Sequence, residues 1–95
     1  MDLNRFELIS VADKIGETIW NEVMQWKFFE KDTIGKQLVR SSDSISANLS
    51  EAYGRYTYAE RIRFCYYSRG SLSETVNWIE KAKSRKLISQ NTAAI

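Results

Sequence analysis

The chain has no histidine and no proline, and only one cysteine and four glycines among its 95 residues. Without histidine it cannot form a Ser–His or Cys–His nucleophile pair, and the commonest metal ligand is missing. The single thiol, Cys65, excludes an internal disulfide and a cysteine-cluster zinc site. So few turn-forming residues argue against sandwiches and barrels and favour a few long helices. We therefore predict a protein that is not an enzyme and has no cofactor or metal.

Charge and hydropathy are those of an ordinary globular protein. Hydrophobic residues make up 43% and charged residues 27% of the sequence, and the net charge is +2. Residues 51–95 carry eight basic and four acidic groups, which indicates either a polyanionic partner or a solvated helix surface. No run approaches the roughly 18 apolar residues of a membrane span, and the first residues do not follow the pattern of a signal peptide. We expect a single domain over residues 1–95, in the reducing cytoplasm, with no membrane partner.

Apolar residues recur at steps of three and four along most of the chain, which is the period of amphipathic helices. A first helix is predicted over about residues 5–27, after which Phe28 and Phe29 are expected to plug the end of a bundle. A second helix is predicted to begin at Asp32 or Thr33. It is rich in serine and alanine, and such small side chains favour close approach of neighbouring helices.

A third helix is predicted by a capping box, with Thr57 at the N-cap and Glu60 at N3, after a left-handed Gly54 that ends the second helix. The third helix carries two offset rows of mostly apolar or small residues at helical spacing, which we call stripes. A helix that buries one face needs only one such stripe. Two stripes imply contact with two layers of the chain or with another subunit. The first stripe is Ile62, Cys65, Ser68 or Arg69, Leu72, Val76, Ile79 and Ala82. The second stripe is Phe64, Tyr67, Ser71, Thr75 and Trp78, of which Phe64, Tyr67 and Trp78 are the candidates for an oligomer interface.

Beyond the third helix, Ser89 is typical of an N-cap, and the residues after it resemble a helix cut off in its second turn. We therefore predict an all-α fold, an up-down-up-down antiparallel four-helix bundle whose fourth helix is truncated or only partly present in this chain. The alternative is that another subunit covers the groove that three helices leave open. Cys65 lies on a predicted core stripe and is expected to be a buried, inert thiol. Asp13 and Glu17, one turn apart, are interpreted as solvated.

Residues 55–63 interleave three arginines with two tyrosines where the second helix meets the third. Arginine forms bidentate hydrogen bonds with phosphate, and tyrosine rings stack on bases. The N-terminus of a helix favours a bound anion. The alternative is that Arg55 caps the second helix and the tyrosines pack on the core. Lys36 and Arg40, one turn apart, could extend the basic surface. The nucleic-acid-binding candidates are therefore Lys36, Arg40, Arg55, Tyr56, Tyr58, Arg61 and Arg63.

Three stretches carry a family resemblance: GKQLVR at residues 35–40, SISANLSEAYGR at residues 44–55 and GSLSE at residues 70–74. With their spacing, they resemble the bacterial four-helix-bundle proteins encoded in intervening sequences of 23S rRNA genes. The resemblance covers about residues 6–89. It implies a bundle that assembles as a ring, commonly a homopentamer, and that associates with nucleic acid. A related group assists the reverse transcriptase of diversity-generating retroelements, so a reverse transcriptase is a candidate partner protein.

The resemblance also assigns roles to individual residues. Arg40 and Arg55 match basic positions of the family. Four polar residues match family positions among the core stripes and are expected to form a hydrogen-bond network between helices: Asn48, Glu51, Ser71 and Glu74. We predict a non-enzymatic oligomer that binds RNA or structured DNA through a basic surface, with little sequence specificity. The alternative is a protein-interaction scaffold or accessory subunit that does not itself bind nucleic acid.

Overall fold

The computed structural model describes residues 4–88, which form three long helices and, within those residues, no strand. Helix α1 spans Arg5–Val23, α2 spans Lys36–Gly54 and α3 spans Tyr58–Ser84. A single α-helical turn, Phe28–Glu30, and a π-helical turn, Lys31–Gly35, lead directly into α2. The prediction of an all-α fold is confirmed.

Helix α1 begins at a side-chain cap and buries one row of residues. The Asn4 side-chain oxygen accepts a hydrogen bond from the Glu7 backbone N–H at 2.9 Å, which satisfies a donor that the helix itself leaves free. The buried row follows the predicted amphipathic pattern, and the helix ends four residues before the predicted boundary. The buried residues of α1 are Ala12, Gly16, Ile19 and Val23.

The connection from α1 to α2 differs from its prediction. A start at Asp32 or Thr33 is wrong, because helical structure already begins at Phe28. The Thr33 hydroxyl instead donates to the Phe29 carbonyl oxygen at 2.7 Å, within the helical turns. Phe28 and Phe29 are exposed over 80% and 72% of their surface. The predicted aromatic plug is therefore wrong, because this turn directs both rings away from the core.

Gly35, the last residue of the π-helical turn, sets how closely α1 approaches α2. A Cβ atom at Gly35 would lie 2.8 Å from Val23 Cγ1 and 3.1 Å from the Glu30 carbonyl oxygen. It would also lie 3.4 Å from the ring of Trp26. The first two distances are shorter than van der Waals contact, so a side chain at Gly35 would force the helices apart.

Helix α2 lies between the other two helices and packs on both. Gly16 of α1 faces Asp43, and Thr75 of α3 faces Ser41. Residues later in α2 contact residues earlier in α1 and in α3. Both neighbouring helices are therefore antiparallel to α2. The predicted role of small residues is confirmed, since half of the buried residues of α2 are serine or alanine. They are Leu38, Ser41, Ser42, Ile45, Leu49 and Ala52.

Helix α3 begins at the predicted cap. The Thr57 hydroxyl oxygen accepts a hydrogen bond from the Glu60 backbone N–H at 3.2 Å, and the helix ends at Ser84. The prediction of a left-handed Gly54 is wrong, because no glycine of the described chain has a positive φ. Lys86 takes that conformation instead, with a φ of 59°, just after α3.

The face of α3 that packs on α2 lies between the two predicted stripes. On its other side, Ile62, Leu72 and Val76 of the first stripe are exposed. Cys65 is exposed as well, so the expectation of a buried thiol is wrong, because α3 turns this side away from α2. The buried residues of α3 are Ser68, Thr75, Ile79 and Ala82.

The core consists of two clusters along α2. One joins all three helices near the end of α1 and has Ile88 packed against it, whereas the other joins only α1 and α2. The first cluster is Ile19, Val23, Leu38 and Ile79, and the second is Ala12, Ile45 and Leu49.

The predicted four-helix bundle is corrected to three helices for residues 4–88. The fourth helix, predicted from Ser89 onward, lies outside the described residues. No helix in the described part of the chain combines the length and the apolar character that crossing a membrane requires.

Gly35→Ala is expected to lower the free energy of unfolding by about 1–3 kcal/mol, because its methyl group overlaps Val23 and the Glu30 carbonyl. Gly70→Ala is the matched control. Nothing lies within 4 Å of a Cβ at Gly70, so this change should raise stability by about 0.5–1 kcal/mol through helix propensity. Urea unfolding followed by circular dichroism measures both. Equal effects of the two variants would contradict the close α1–α2 approach.

Candidate nucleic-acid interface

The corner between α2 and α3 is a short turn held by backbone hydrogen bonds. Arg55 and Thr57 have extended backbone conformations that end α2 and cap α3. The Arg61 Nε–H, one turn into α3, donates to the Arg55 carbonyl oxygen at 2.9 Å. Together with the Thr57 cap, this bond fixes the direction in which α3 leaves the corner.

The side chain of Arg55 holds the corner together. Its Nε donates to Glu51 Oε2 at 3.1 Å, and Nη2 lies 3.0 Å from the same oxygen. The guanidinium also lies 4.5 Å from the ring centre of Phe64 on α3, which is cation–π geometry. Because these contacts satisfy Arg55 within the chain, its charge is less available to a ligand than that of Arg61 or Arg63.

Both tyrosines of the corner project into solvent. Tyr56 is exposed over 96% of its surface and Tyr58 over 79%. The alternative that they pack on the core is therefore wrong. Arg63 is also exposed, and within residues 4–88 its guanidinium has no hydrogen-bond or ion-pair partner. Tyr56 and Tyr58, with two exposed rings, and Arg63, with an unpaired cation, thus all lie at the start of α3.

The same surface continues along α3 to two residues that the sequence analysis missed. Tyr66 follows Arg63 by three residues, and Arg69 follows Tyr66 by three, so each is a neighbour of the last on the helix. Tyr66 is exposed over 63% of its surface, and Arg69 is exposed too. The repeated step of three between cations and tyrosines was the available signal.

Lys36 and Arg40 are not brought to this corner. Fifteen residues of α2 separate Arg40 from Arg55, which is roughly 22 Å along a helix. Lys36 Nζ lies 3.3 Å from Asp32, and Arg40 pairs with Glu74 of α3. The predicted basic surface is therefore two separate groups, one at each end of α2.

The profile of a protein family described as 23S rRNA-intervening sequence protein matches residues 4–94. The chain belongs to that family. No curated protein and no solved structure matches it.

The four polar residues of the expected network make separate contacts. Asn48 Nδ2 donates to the Ser44 carbonyl at 2.9 Å, within α2, and Glu51 pairs with Arg55. The Ser71 carbonyl accepts from the Thr75 hydroxyl at 2.7 Å, within α3. Glu74 alone reaches between helices, where it binds Arg40 and accepts from Trp78 Nε1 at 3.3 Å.

The polar contacts between α2 and α3 lie mainly on other residues. The hydroxyls of Ser41 and Thr75 are 3.0 Å apart, and the Ser68 hydroxyl donates to the Ile45 carbonyl at 2.8 Å. Ser41, Ser68 and Thr75 are buried, so these bonds satisfy groups that water cannot reach. Sequence reasoning placed Thr75 on a helix stripe and treated the serines of α2 only as small residues that favour close packing.

The three candidates for an oligomer interface make contacts within their own chain. Trp78 packs against the first core cluster, and Phe64 meets Tyr67 edge-to-face with ring centres 5.3 Å apart. Phe64 and Trp78 are half-buried, whereas Tyr67 is exposed over 51% of its surface. Their part in an oligomer stays a prediction.

A cluster of carboxylates lies where α1 crosses α2. Asp13 and Glu17 are exposed, as predicted, and both act on Asp43 of α2. Desolvation against α1, followed by repulsion from Glu17 and Asp13, raises the pKa of Asp43. Within residues 4–88 no group of three or more acidic, cysteine or histidine side chains is arranged to hold a metal ion.

Asp43→Asn is expected to stabilise the protein at pH 7. A carboxyl whose pKa is higher in the folded state binds more protons when folded, so its contribution to stability falls as pH rises through the interval between the unfolded and folded pKa values. Removing the charge should therefore raise the urea concentration at the midpoint of unfolding at pH 7. The gain should be smaller at pH 3, because there the Asp43 carboxyl is largely protonated in both the folded and the unfolded protein. A lower midpoint for the variant at pH 7 would contradict this account.

Proposed function

We propose that this chain is a non-catalytic, self-associating helical protein of the bacterial cytoplasm that binds RNA or structured DNA through the α2–α3 corner. The observation that carries the proposal is the exposure of Tyr56 and Tyr58 at the start of α3, the segment that also contains Arg61 and the unpaired Arg63. Large apolar rings left in water at a fixed corner are typical of a binding surface.

The corner suits nucleic acid through three complementary contacts. Tyrosine rings stack on unpaired bases of any sequence. Arg61 and Arg63 can form charge-assisted hydrogen bonds with phosphate oxygens. The first turn of α3 adds the positive end of its dipole at the same place. None of these contacts reads a base edge, so the proposal entails weak sequence specificity and strong dependence on salt.

Self-association is supported by the apolar surface that the described chain leaves open. Ile62, Leu72 and Val76 form an exposed apolar stripe on α3, which we call the α3 stripe. A fourth helix or a neighbouring copy would remove it from water, and the family resemblance implies a ring of five copies. Burial of such side chains contributes about 25 cal/mol per Å² of apolar surface.

A second candidate function is that of a scaffold for another protein, such as a reverse transcriptase. The α3 stripe favours it, because an amphipathic partner helix could cover the same side chains. Pull-down of a purified candidate partner in the presence of nuclease separates the two functions. Retention of the partner together with no direct RNA binding would favour the scaffold.

Fluorescence anisotropy with a labelled single-stranded RNA tests the nucleic-acid proposal. Affinity should fall steeply between about 50 and 200 mM salt. Arg63→Ala should weaken binding several-fold and reduce the salt slope, because it removes a phosphate contact. The double variant Tyr56→Ala with Tyr58→Ala should weaken binding about tenfold or more while leaving the slope unchanged, because stacking is uncharged.

Lys27→Ala is the matched control, since Lys27 is an exposed cation in the connection between α1 and α2, at the other end of the molecule. It should bind as the unaltered protein does. The proposal fails if the folded protein does not bind at low salt, or if Lys27→Ala has the same effect as Arg63→Ala.

A further inference from the structure

One side of α3 carries a row of residues that leads away from the corner along most of the helix. Its members are separated alternately by four and three residues, so they lie on one face of α3. All of them are exposed except Glu74, which is half-buried. The row, which we call the α3 track, is Arg63, Tyr67, Gly70, Glu74, Asn77 and Lys81.

The charge of the α3 track is positive. Arg63 lies at one end and Lys81 at the other, and neither forms an ion pair among residues 4–88. The one carboxylate of the track, Glu74, is bound by Arg40 of α2 and accepts a hydrogen bond from Trp78. Arg40 keeps 55% of its side chain exposed in this pair. The carboxylate is therefore neutralised, and Arg40 places a further guanidinium beside the middle of the track.

The middle of the α3 track is flat and has aromatic rings next to it. No atom lies within 4 Å of a Cβ built at Gly70. One turn before it, Tyr66 and Tyr67 are exposed over 63% and 51% of their surface. Phe64 meets Tyr67 edge-to-face, with ring centres 5.3 Å apart, which restrains the Tyr67 ring. Rings beside a stretch of bare backbone offer a nucleobase a surface on which to stack.

The far end of the α3 track leads to a cavity between α3 and the start of α2. Arg85, at the rim of this cavity, follows Lys81 by four residues. The cavity volume of about 310 Å³ lies at the lower end of the usual range for small-molecule sites. An indole ring, an amide and a guanidinium are among the groups that line it. The lining residues are Thr33, Ile34, Gln37, Trp78 and Arg85.

We propose that the α3 track binds a single strand of nucleic acid, which runs from the tyrosines of the corner toward the cavity at Arg85. The inference rests on the proposed function and narrows its ligand to an unpaired strand. Eighteen residues of α3 separate Arg63 from Lys81, which is roughly 27 Å along a helix. Such a length accommodates about four nucleotides or more, the lower end of the site sizes of folds that bind single strands.

An unpaired strand fits the α3 track better than a duplex does. A duplex hides the faces of its bases within the stack, whereas the splayed bases of a single strand can lie on Tyr66 and Tyr67. Phosphates of the same strand then lie near Arg63, Arg40 and Lys81. None of these contacts engages a 2′-hydroxyl, so RNA and DNA strands of equal length and sequence should bind with similar affinity.

The α3 track is separate from the α3 stripe. Lys81 and Lys83 are two residues apart, so they lie on nearly opposite sides of the helix. Leu72 and Val76 of the stripe precede Lys83 by eleven and seven residues, which returns to the side of Lys83. A neighbour that covers the stripe therefore leaves the track open. Tyr67, a candidate for an oligomer interface in the sequence, is here assigned to the ligand.

Charge reversal at Lys81 tests the far end of the α3 track. Lys81→Glu should weaken binding of a labelled eight-nucleotide single strand about tenfold at low salt and lower the salt slope by about one. Lys83→Glu is the matched control, because Lys83 is also an exposed lysine in the last turn of α3. Both variants lose the same favourable interaction with the helix dipole. At 0.1 M salt the control should change affinity less than about twofold, since its charge lies across the helix from the strand.

Substitutions at Gly70 test the middle of the α3 track in both directions. A side chain at Gly70 meets no other atom, so Gly70→Lys and Gly70→Glu should both stay folded by circular dichroism. Gly70→Lys should tighten binding several-fold and Gly70→Glu should weaken it several-fold, because they add opposite charges beside the phosphates. Affinity should also rise with strand length from two to about six nucleotides, whereas a site confined to the corner would reach its limit earlier.

Fluorescence anisotropy with RNA and DNA strands, and with a duplex of equal length, measures these effects. The inference is overturned if Lys81→Glu and Lys83→Glu weaken binding equally, if both Gly70 variants shift affinity in the same direction, or if the duplex binds as tightly as the single strand. If no oligonucleotide binds at low salt, the proposed function fails and the inference fails with it. If Arg63→Ala weakens binding while changes at Gly70 and Lys81 have no effect, the corner binds nucleic acid and the α3 track does not.

Discussion

The hydroxyls of Ser41 and Thr75 lie 3.0 Å apart across the contact between α2 and α3, and that distance requires small side chains on α2. Ser42 is fully buried beside them, and Gly35 lets the end of α1 approach with no room for a Cβ atom. Two helices can therefore pack against one without large side chains between them. The buried hydroxyls of Ser68 and Thr75 donate across the contact to α2, so close approach and polar satisfaction depend on each other there.

Close packing on α2 leaves the outer sides of α1 and α3 uncovered. Each helix has one buried row and an exposed row that also contains large apolar residues, such as Trp20 on α1 and Leu72 on α3. An arrangement of three helices cannot bury both sides of its outer helices. The exposed rows differ in charge, since the one on α1 continues into a divided acidic and basic surface, whereas the one on α3 continues toward the arginines of the corner. The two exposed rows therefore form chemically different surfaces.

The three arginines of the corner have different roles. Arg55 is held by Glu51 and Phe64, and Arg61 donates to the backbone of the turn. These contacts keep the start of α3 in place, so Tyr56, Tyr58 and Arg63 extend from a rigid support. A surface held in this way loses little conformational entropy when it binds. Residues that resemble one another in the sequence therefore serve different purposes, with some building the support and others exposed to solvent.

The sequence by itself determined the helices, the cap at Thr57, the small-residue packing of α2 and the family, because these rest on local spacing and on motifs. Predictions from the sequence were wrong where contacts between residues far apart in the chain decide which side of a helix is buried. The period of three and four placed Cys65 on a core stripe, but α3 rotates that side away from α2 to bring Thr75 onto Ser41. Lys36 and Arg40 looked like part of the corner, but the length of α2 separates them from it. Only the tertiary structure placed Asp43 beside Asp13 and Glu17, because the antiparallel approach of α1 brings together charges that lie about thirty residues apart in the chain.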